Sequence, residues 1–233
     1  MEPLLEEWGP LLVEQLREQL NNLTAAAQLL TPVVQESGEE RHRQYLAILN
    51  QSVYRMTRTL NNAEYAQLPE GEPALRRAPL DLAGLCRELE RQVTPLAALA
   101  GVQFSYEEER ACLLTVGDAA LLRRMLLNLI ANALGAAGSG GQAVLRLSDA
   151  RSAAVLTVWD NGQSILPEDR DKVFDRFFTA DRAHTAGKGT GLGLSICKRI
   201  LEFHGQSIRL ADTTEGAAFV FTLEKGKATE DKK

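Results

Sequence analysis

Three stretches of this chain hold residue types that could handle a nucleotide or a metal ion. In "LLNLIANALGA", Asn128 and Asn132 lie four residues apart. On a helix they share one face, while Leu122, Met125, Leu126, Leu129 and Ala133 point elsewhere. An amide oxygen there can lend one ligand to Mg²⁺, a small hard cation whose other ligands are phosphate oxygens and water. By itself the pair is better explained as hydrogen-bonding caps or a solvated stripe. In "VWDNG" an apolar run ends in Asp160, Asn161 and Gly162. A carboxylate at a strand end accepts a hydrogen bond from an exocyclic base amine, and a neighbouring glycine lets the ring approach the backbone. Asp-Asn-Gly is equally a common turn. In "GKGTGLGLS", Gly187 to Ser195, four glycines lead into a helix. Their N–H groups can wrap a phosphate chain at the helix N-terminus, or the stretch is a flexible surface loop. It lacks the Lys-Ser/Thr pair of the G-x-x-x-x-G-K-[ST] phosphate loop.

The elements that must position these groups are legible from periodicity. "DLAGLCRELERQVTPLAALAG" and "DAALLRRMLLNLIANALGAAG" read as helices, and so does "GLGLSICKRILEFHG". "VQFSYEE", "CLLTV", "QSIRL" and "AAFVFTLE" read as strands, with "QAVLRLSDARSAAVLTVWDNG" as a hairpin. Helices and strands mix without regular βαβ alternation, so residues 80–225 are expected to be an α+β layer of helices on one mixed sheet. Upstream, Leu5, Leu12, Leu16, Leu23, Ala26, Leu30 and Val33 mark one long helix with a buried seam, ended by Pro32 and Gly38 in "PVVQESGEE". Leu46, Leu49, Val53, Met56, Leu60 and Ala63 mark a second. Residues 1–68 are thus expected to form an antiparallel helical hairpin. Trp8, Val13, Leu20 and Leu29 widen the first helix's apolar face beyond what one partner can cover, so two hairpins are expected to pair as a four-helix bundle in a homodimer or heterodimer. "PEGEPALRRAP", within 69–79, reads as a linker, and 226–233 as a disordered charged tail.

Composition narrows the function classes. The 26 basic residues against 31 acidic ones give a net charge of −5 and are scattered, which argues against nucleic acid as a partner. Cys86, Cys112 and Cys197 form no CxxC pair and fit a reducing cytosol. No uninterrupted apolar run approaches the roughly 20 residues that span a bilayer. The expectation is a cytoplasmic polypeptide, or the cytoplasmic portion of a membrane sensor.

Order then joins the three stretches. An N-x-x-x-N helix, D-x-G, the "FDRFF" block at Phe174 to Phe178 and G-x-G-L-G-L follow one another behind a helical hairpin. This resembles the sensor histidine kinases over almost the whole chain, including "VGDAALL" before the asparagine helix and "HGQSIRL" after the glycine loop. In that family the four motifs are the N, G1, F and G2 boxes of a Bergerat-type ATP-binding domain. The resemblance implies ATP and Mg²⁺ as cofactors, with Asn132 on the metal and Asn128 along the phosphates. It implies that Asp160 and Gly162 hold adenine, and that Lys188, Gly189, Thr190, Gly191, Leu192, Gly193 and Leu194 form the lid. The chain departs from the family at Ser164, where a second G1 glycine is usual, and at Gly135 and Ala136, where a basic residue and an aromatic are usual. Lys188 or Arg182 is a candidate replacement for the missing cation. Related ATPases and serine kinases place a glutamate four residues before the metal asparagine; here that residue is Asn128.

The family's hairpin carries its nucleophile and base in a motif of the form S-H-E-L-R-T-P-L. Aligned through Leu16, Arg17 and Leu20, it falls on "VEQLREQL", Val13 to Leu20. Glu14 then stands where the phosphate-accepting histidine belongs, Gln15 replaces the acidic base, and Glu18 replaces the residue that assists dephosphorylation. With Leu16 and Leu23 on the seam, position 14 faces away from it. Glutamate lacks the imidazole nucleophile, and Gln15 cannot take a proton. Of the three histidines, His42 is expected at the surface, His184 in the lid and His204 in a structural role. The reading is a histidine kinase-like signalling protein that binds Mg-ATP without phosphorylating itself, with a response regulator or a partner histidine kinase as its protein partner. The alternatives are a kinase acting in trans on such a partner and a non-catalytic nucleotide-sensing or regulator-binding module.

Overall fold

The computed structural model describes residues 2–66, 75–179 and 191–226, with the backbone alone for 2–12, 47, 51, 54–55, 57–58 and 61–66. The chain divides into two compact units, Met1–Pro69 and Glu70–Lys233.

The first unit is a hairpin of two long helices, α1 (Glu2–Ser37) and α2 (Glu40–Ala66). Only one of the two predicted breakers acts. Gly38 adopts φ 69°, the left-handed conformation that ends a helix, whereas Pro32 lies inside α1. A proline removes one N–H and crowds one carbonyl, which a helix packed along its length can tolerate locally. The seam also differs from expectation. Among the described side chains of the hairpin, Leu20, Ala27 and Val53 are the buried apolar residues, whereas Leu16, Leu23, Leu30 and Val33 stay 40–60% exposed. The helix carries two apolar stripes, and α2 covers the one through Val13, Leu20 and Ala27. Leu5, Leu12 and Trp8 belong to helical backbone whose side chains lie outside the described residues.

The second unit is a layer of helices on a sheet. Its strands run β2 (Gln103–Glu108), β4 (Gln142–Asp149), β5 (Ala153–Asp160), β7 (Ala217–Glu224) and β6 (Ile208–Ala211) across one five-stranded sheet. The β2–β4 pair is parallel and the rest antiparallel. Alternation is clean, because one face is covered and the other is not. On β5, Ala154, Leu156, Val158 and Asp160 are buried while Val155, Thr157 and Trp159 are half-buried. Helices α3 (Leu82–Leu99), α4 (Ala119–Ala137) and α5 (Gly193–Phe203) supply the opposing core with Leu89, Met125, Leu129 and Ile200. By length and composition α4 is the one described helix apolar enough to cross a membrane, and here its apolar side lies in the core.

One strand escaped the sequence reading. Ala78–Asp81 forms β1, which pairs antiparallel with β3 (Leu114–Gly117), so the last two residues of the expected linker are strand. Four residues that include Pro79 carry too little alternation to be recognised. Residues 69–74 of that linker and 227–233 of the tail lie outside the described residues.

Candidate nucleotide site

The site is organised from α4, and α4 is fixed at its start. Asp118 caps the helix, with Oδ1 accepting from the Ala120 and Leu121 N–H groups at 3.1 and 3.2 Å and Oδ2 from the Arg76 N–H at 3.1 Å. The Asp118 N–H donates to His204 Nε2 at 3.0 Å, and His204 Nδ1 lies 2.7 Å from the Ile200 carbonyl. Nε2 must therefore be unprotonated and Nδ1 must carry the proton, so the buried imidazole is a neutral bridge between the end of α5 and the start of α4. "VGDAALL" and "HGQSIRL", far apart in sequence, meet here. Replacing His204 by alanine leaves the Asp118 N–H without its acceptor and is expected to cost about 1–3 kcal/mol, read as a lower urea midpoint with an unchanged slope.

One turn apart on α4, Asn128 is 4% exposed while Asn132 is exposed. The next position on the same face is Ala136. There the G1 loop docks: a Cβ on Gly162 would lie 2.2 Å from the Ala136 carbonyl oxygen. The glycine is thus required by helix packing, a different reason from the close approach of a base ring. Gly135 faces open space.

Asp160 closes β5 and is 1% exposed. Among the described residues, its one hydrogen-bond donor is the Gly162 N–H, 3.0 Å from Oδ1. Burial pushes the carboxyl up to about 6, against the opposing pull of that N–H. A buried carboxylate with one donor has acceptor capacity to spare, as recognition of a base amine requires. Ser164, further along the loop, is exposed and shares a shallow cleft with Ile165, Thr213 and Ala217.

The glycine loop joins the same region through α5, which packs on α4: Cys197 Sγ lies 3.5 Å from the Met125 carbonyl. Gly191, Leu192, Gly193 and Leu194 are described; Lys188, Gly189, Thr190, Arg182 and His184 lie outside the described residues. Gly191 has φ 68°, its carbonyl accepts from the Phe177 N–H at 3.0 Å, and a Cβ on it would lie 2.5 Å from the Phe177 carbonyl carbon. Phe177 is itself left-handed, φ 64°, the one such non-glycine residue among those described. This clasp between the F and G2 boxes is a backbone contact with no sequence signal. The asparagine face, the G1 loop and the head of α5 are thereby brought together within the second unit.

The described donors would suit a nucleotide whose phosphates carry most of a cation's ligands. No group of three or more His, Cys, Asp or Glu side chains among the described residues forms a metal cage. An exposed Asn132 is the arrangement a cation held mainly by phosphates and water requires. In the first unit Glu14 and Gln15 are exposed on α1, and His42 is exposed at the start of α2 beside Glu39.

Residues 117–227 match the family model described as histidine kinase-, DNA gyrase B- and HSP90-like ATPase. The chain is 30% identical over 203 residues to the sensor protein kinase PmrB of Pseudomonas aeruginosa, covering 87% of this chain and 41% of that protein. It therefore spans about two fifths of the length of that relative. The catalytic domain of histidine kinase ThkA superposes with a TM-score of 0.59 at 30% identity over 64% of this chain and 96% of that one. Full-length ShkA in complex with AMPPNP superposes with a TM-score of 0.66 at 25% identity over 95% of this chain and 47% of that one. Since the second unit reproduces nearly all of a kinase catalytic domain at that level of identity, kinship follows directly: this chain belongs to the sensor histidine kinase family.

Proposed function

We propose that the chain is the transmitter portion of a cytoplasmic two-component signalling protein, one that binds Mg-ATP but does not phosphorylate itself. Glu14 carries this reading. It occupies the acceptor position in a helix that otherwise keeps Leu16, Arg17 and Leu20, and a carboxylate offers no imidazole nitrogen to a γ-phosphate. On the nucleotide side, Asp160 accepts the adenine amine and Gly162 holds its loop against α4. Asn128 lines the phosphates, Asn132 gives Mg²⁺ one oxygen, and the lid from Lys188 to Leu194 offers backbone N–H groups. The cofactor supplies the transferable phosphoryl group; the protein orients it. Support for ATP comes from AMPPNP in the related ShkA structure.

The protein partner in this reading is a response regulator or a second histidine kinase. The exposed stripe of Leu16, Leu23 and Leu30, with Ile48 and Met56 exposed on α2, provides the apolar surface for a second hairpin and so for a homodimer.

Incubation of the purified chain with Mg²⁺ and γ-labelled ATP tests the reading. The expected result is no acid-labile label on the chain alone. Label on the isolated chain would refute it, and label on an added His-bearing kinase would assign it catalysis in trans. Calorimetric titration with ATP tests binding separately, and absence of heat at millimolar nucleotide would reject that half.

A further inference from the structure

The end of β5 that carries Asp160 is gripped from both sides by residues outside the nucleotide motifs. On the β4 side, the Asn161 N–H donates to the Gln142 carbonyl at 3.1 Å and Asn161 Oδ1 accepts from the Gln142 N–H at 2.7 Å. On the β7 side stands the Asp212–Gly216 turn that joins β6 to β7. Gly216 is buried with φ 67°, and a Cβ on it would lie 1.7 Å from the Asp160 carbonyl oxygen and 2.9 Å from the Asn161 Cα. Among the described glycines this is the closest approach. Residue 216 must therefore be glycine both for its dihedral and for its contact.

The turn is closed by one of its own side chains and anchored by two other segments. Thr213 Oγ1 donates to the Gly216 carbonyl at 3.2 Å, and Trp159 Nε1 donates to the Glu215 carbonyl at 3.2 Å. Arg170 Nη2 donates to the Ala211 carbonyl at 3.3 Å and pairs with Asp212 Oδ1 at 2.7 Å. A connection that only reverses the chain does not need side-chain donors from two further segments. Strand ends fray, and a recognition group on the last residue of a strand is only as well aligned as the backbone beneath it.

We infer that the Asp212–Gly216 turn is a positioning element for base selection. Gly216 locks the Asp160 backbone so that the carboxylate stays aligned with a 6-amino group and opposes a 6-oxo group. This rests on the proposed nucleotide reading. Adenine presents an amine that the carboxylate accepts; hypoxanthine presents an oxygen that it repels. Loosening the turn therefore weakens ATP, which uses the bond, and leaves ITP, which does not, nearly unaffected.

The test is titration of the full chain with ATP and with ITP in the presence of Mg²⁺. Gly216→Ala is expected to weaken ATP about tenfold or more and to change ITP by less than about twofold. Because that substitution forces backbone atoms together and risks the fold, Trp159→Phe and Thr213→Val each remove one anchor and spare the packing. Each is expected to weaken ATP about three- to tenfold with ITP unchanged. A purely structural role would lower the melting temperature and shift both nucleotides equally, or neither; either result overturns the inference. If the wild-type chain shows no preference for ATP over ITP, the nucleotide reading itself falls and takes the inference with it. If the wild type prefers ATP and every folded variant keeps the full preference, the inference alone falls.

Discussion

Replacing Asp160 by asparagine is expected to weaken ATP binding by about 100-fold or more while stabilising the nucleotide-free chain. Both effects follow from the same burial. The carboxyl titrates at about 6 in the folded chain against its ordinary 3.8. The folded state thus holds this proton more tightly than the unfolded state. Between about pH 4 and 6 the native chain carries the extra proton, so stability falls as pH rises through that window. Above it the ionised group costs on the order of 3 kcal/mol. Asparagine removes the charge and keeps an oxygen for the Gly162 N–H, but it buries a new amide donor, so the expected net gain is about 1 kcal/mol. Its cost appears on binding. With the oxygen turned to Gly162, the NH₂ faces the base amine, and a charge-assisted bond becomes two opposed donors. Denaturation at pH 7 reads the first effect and titration calorimetry the second. Wild-type affinity should also decline as pH drops through about 6, when the carboxyl takes up its proton; the Asp160→Asn chain should lack that step. Parallel pH profiles for the two chains would remove Asp160 from the site.

The placement of the candidate site residues is legible in the sequence where spacing alone defines a face or a strand end. Asn128 and Asn132 on one side of α4, Asp160 at the end of β5 and Gly193 at the head of α5 need only local periodicity to be placed. What was missed depends on contacts between distant segments. For Gly162 the sequence suggests only the freedom a glycine gives a ligand, whereas the structure puts the Ala136 carbonyl where a Cβ would lie. Gly216 sits in an unremarkable "TTEGAAF" turn, and nothing nearby reveals that it abuts Asp160. The Asp118–His204 bridge joins residues whose sequence neighbours give no hint of each other, although His-Gly after the last helix was a usable signal. In the hairpin, both apolar stripes of α1 were visible. Which of them α2 would cover was not, because two stripes of similar hydrophobicity on one helix are distinguished only by the partner's own faces.

The same helix bears the second large expected effect. Glu14→His, especially combined with Gln15→Glu, is expected to let the chain accept an acid-labile phosphoryl group that the proposed reading denies the parent. Both positions are exposed, so the exchanges should change stability by less than about 0.5 kcal/mol and leave the hairpin intact. Residue 14 lies about 200° around the helix from Leu16, so it faces away from the stripe offered to a second hairpin. An imidazole there would supply the nucleophilic ring nitrogen that Glu14 lacks. In phosphotransfer that nitrogen would take the γ-phosphoryl group as its bond to the β–γ bridging oxygen breaks and ADP leaves, and the ring proton would pass to residue 15. Glutamine cannot accept that proton and glutamate can, so the double variant should exceed Glu14→His alone by about 10²-fold, at the low end for a positioned general base. The label should be lost in acid and survive base, as phosphohistidine chemistry requires, and it should disappear from the same chain carrying Asp160→Asn. If the double variant binds ATP as tightly as the parent and still takes no label, residue 14 is not where the nucleotide delivers its phosphate. The alignment of Val13 to Leu20 with an acceptor helix, and the explanation of silence it provides, would then be wrong.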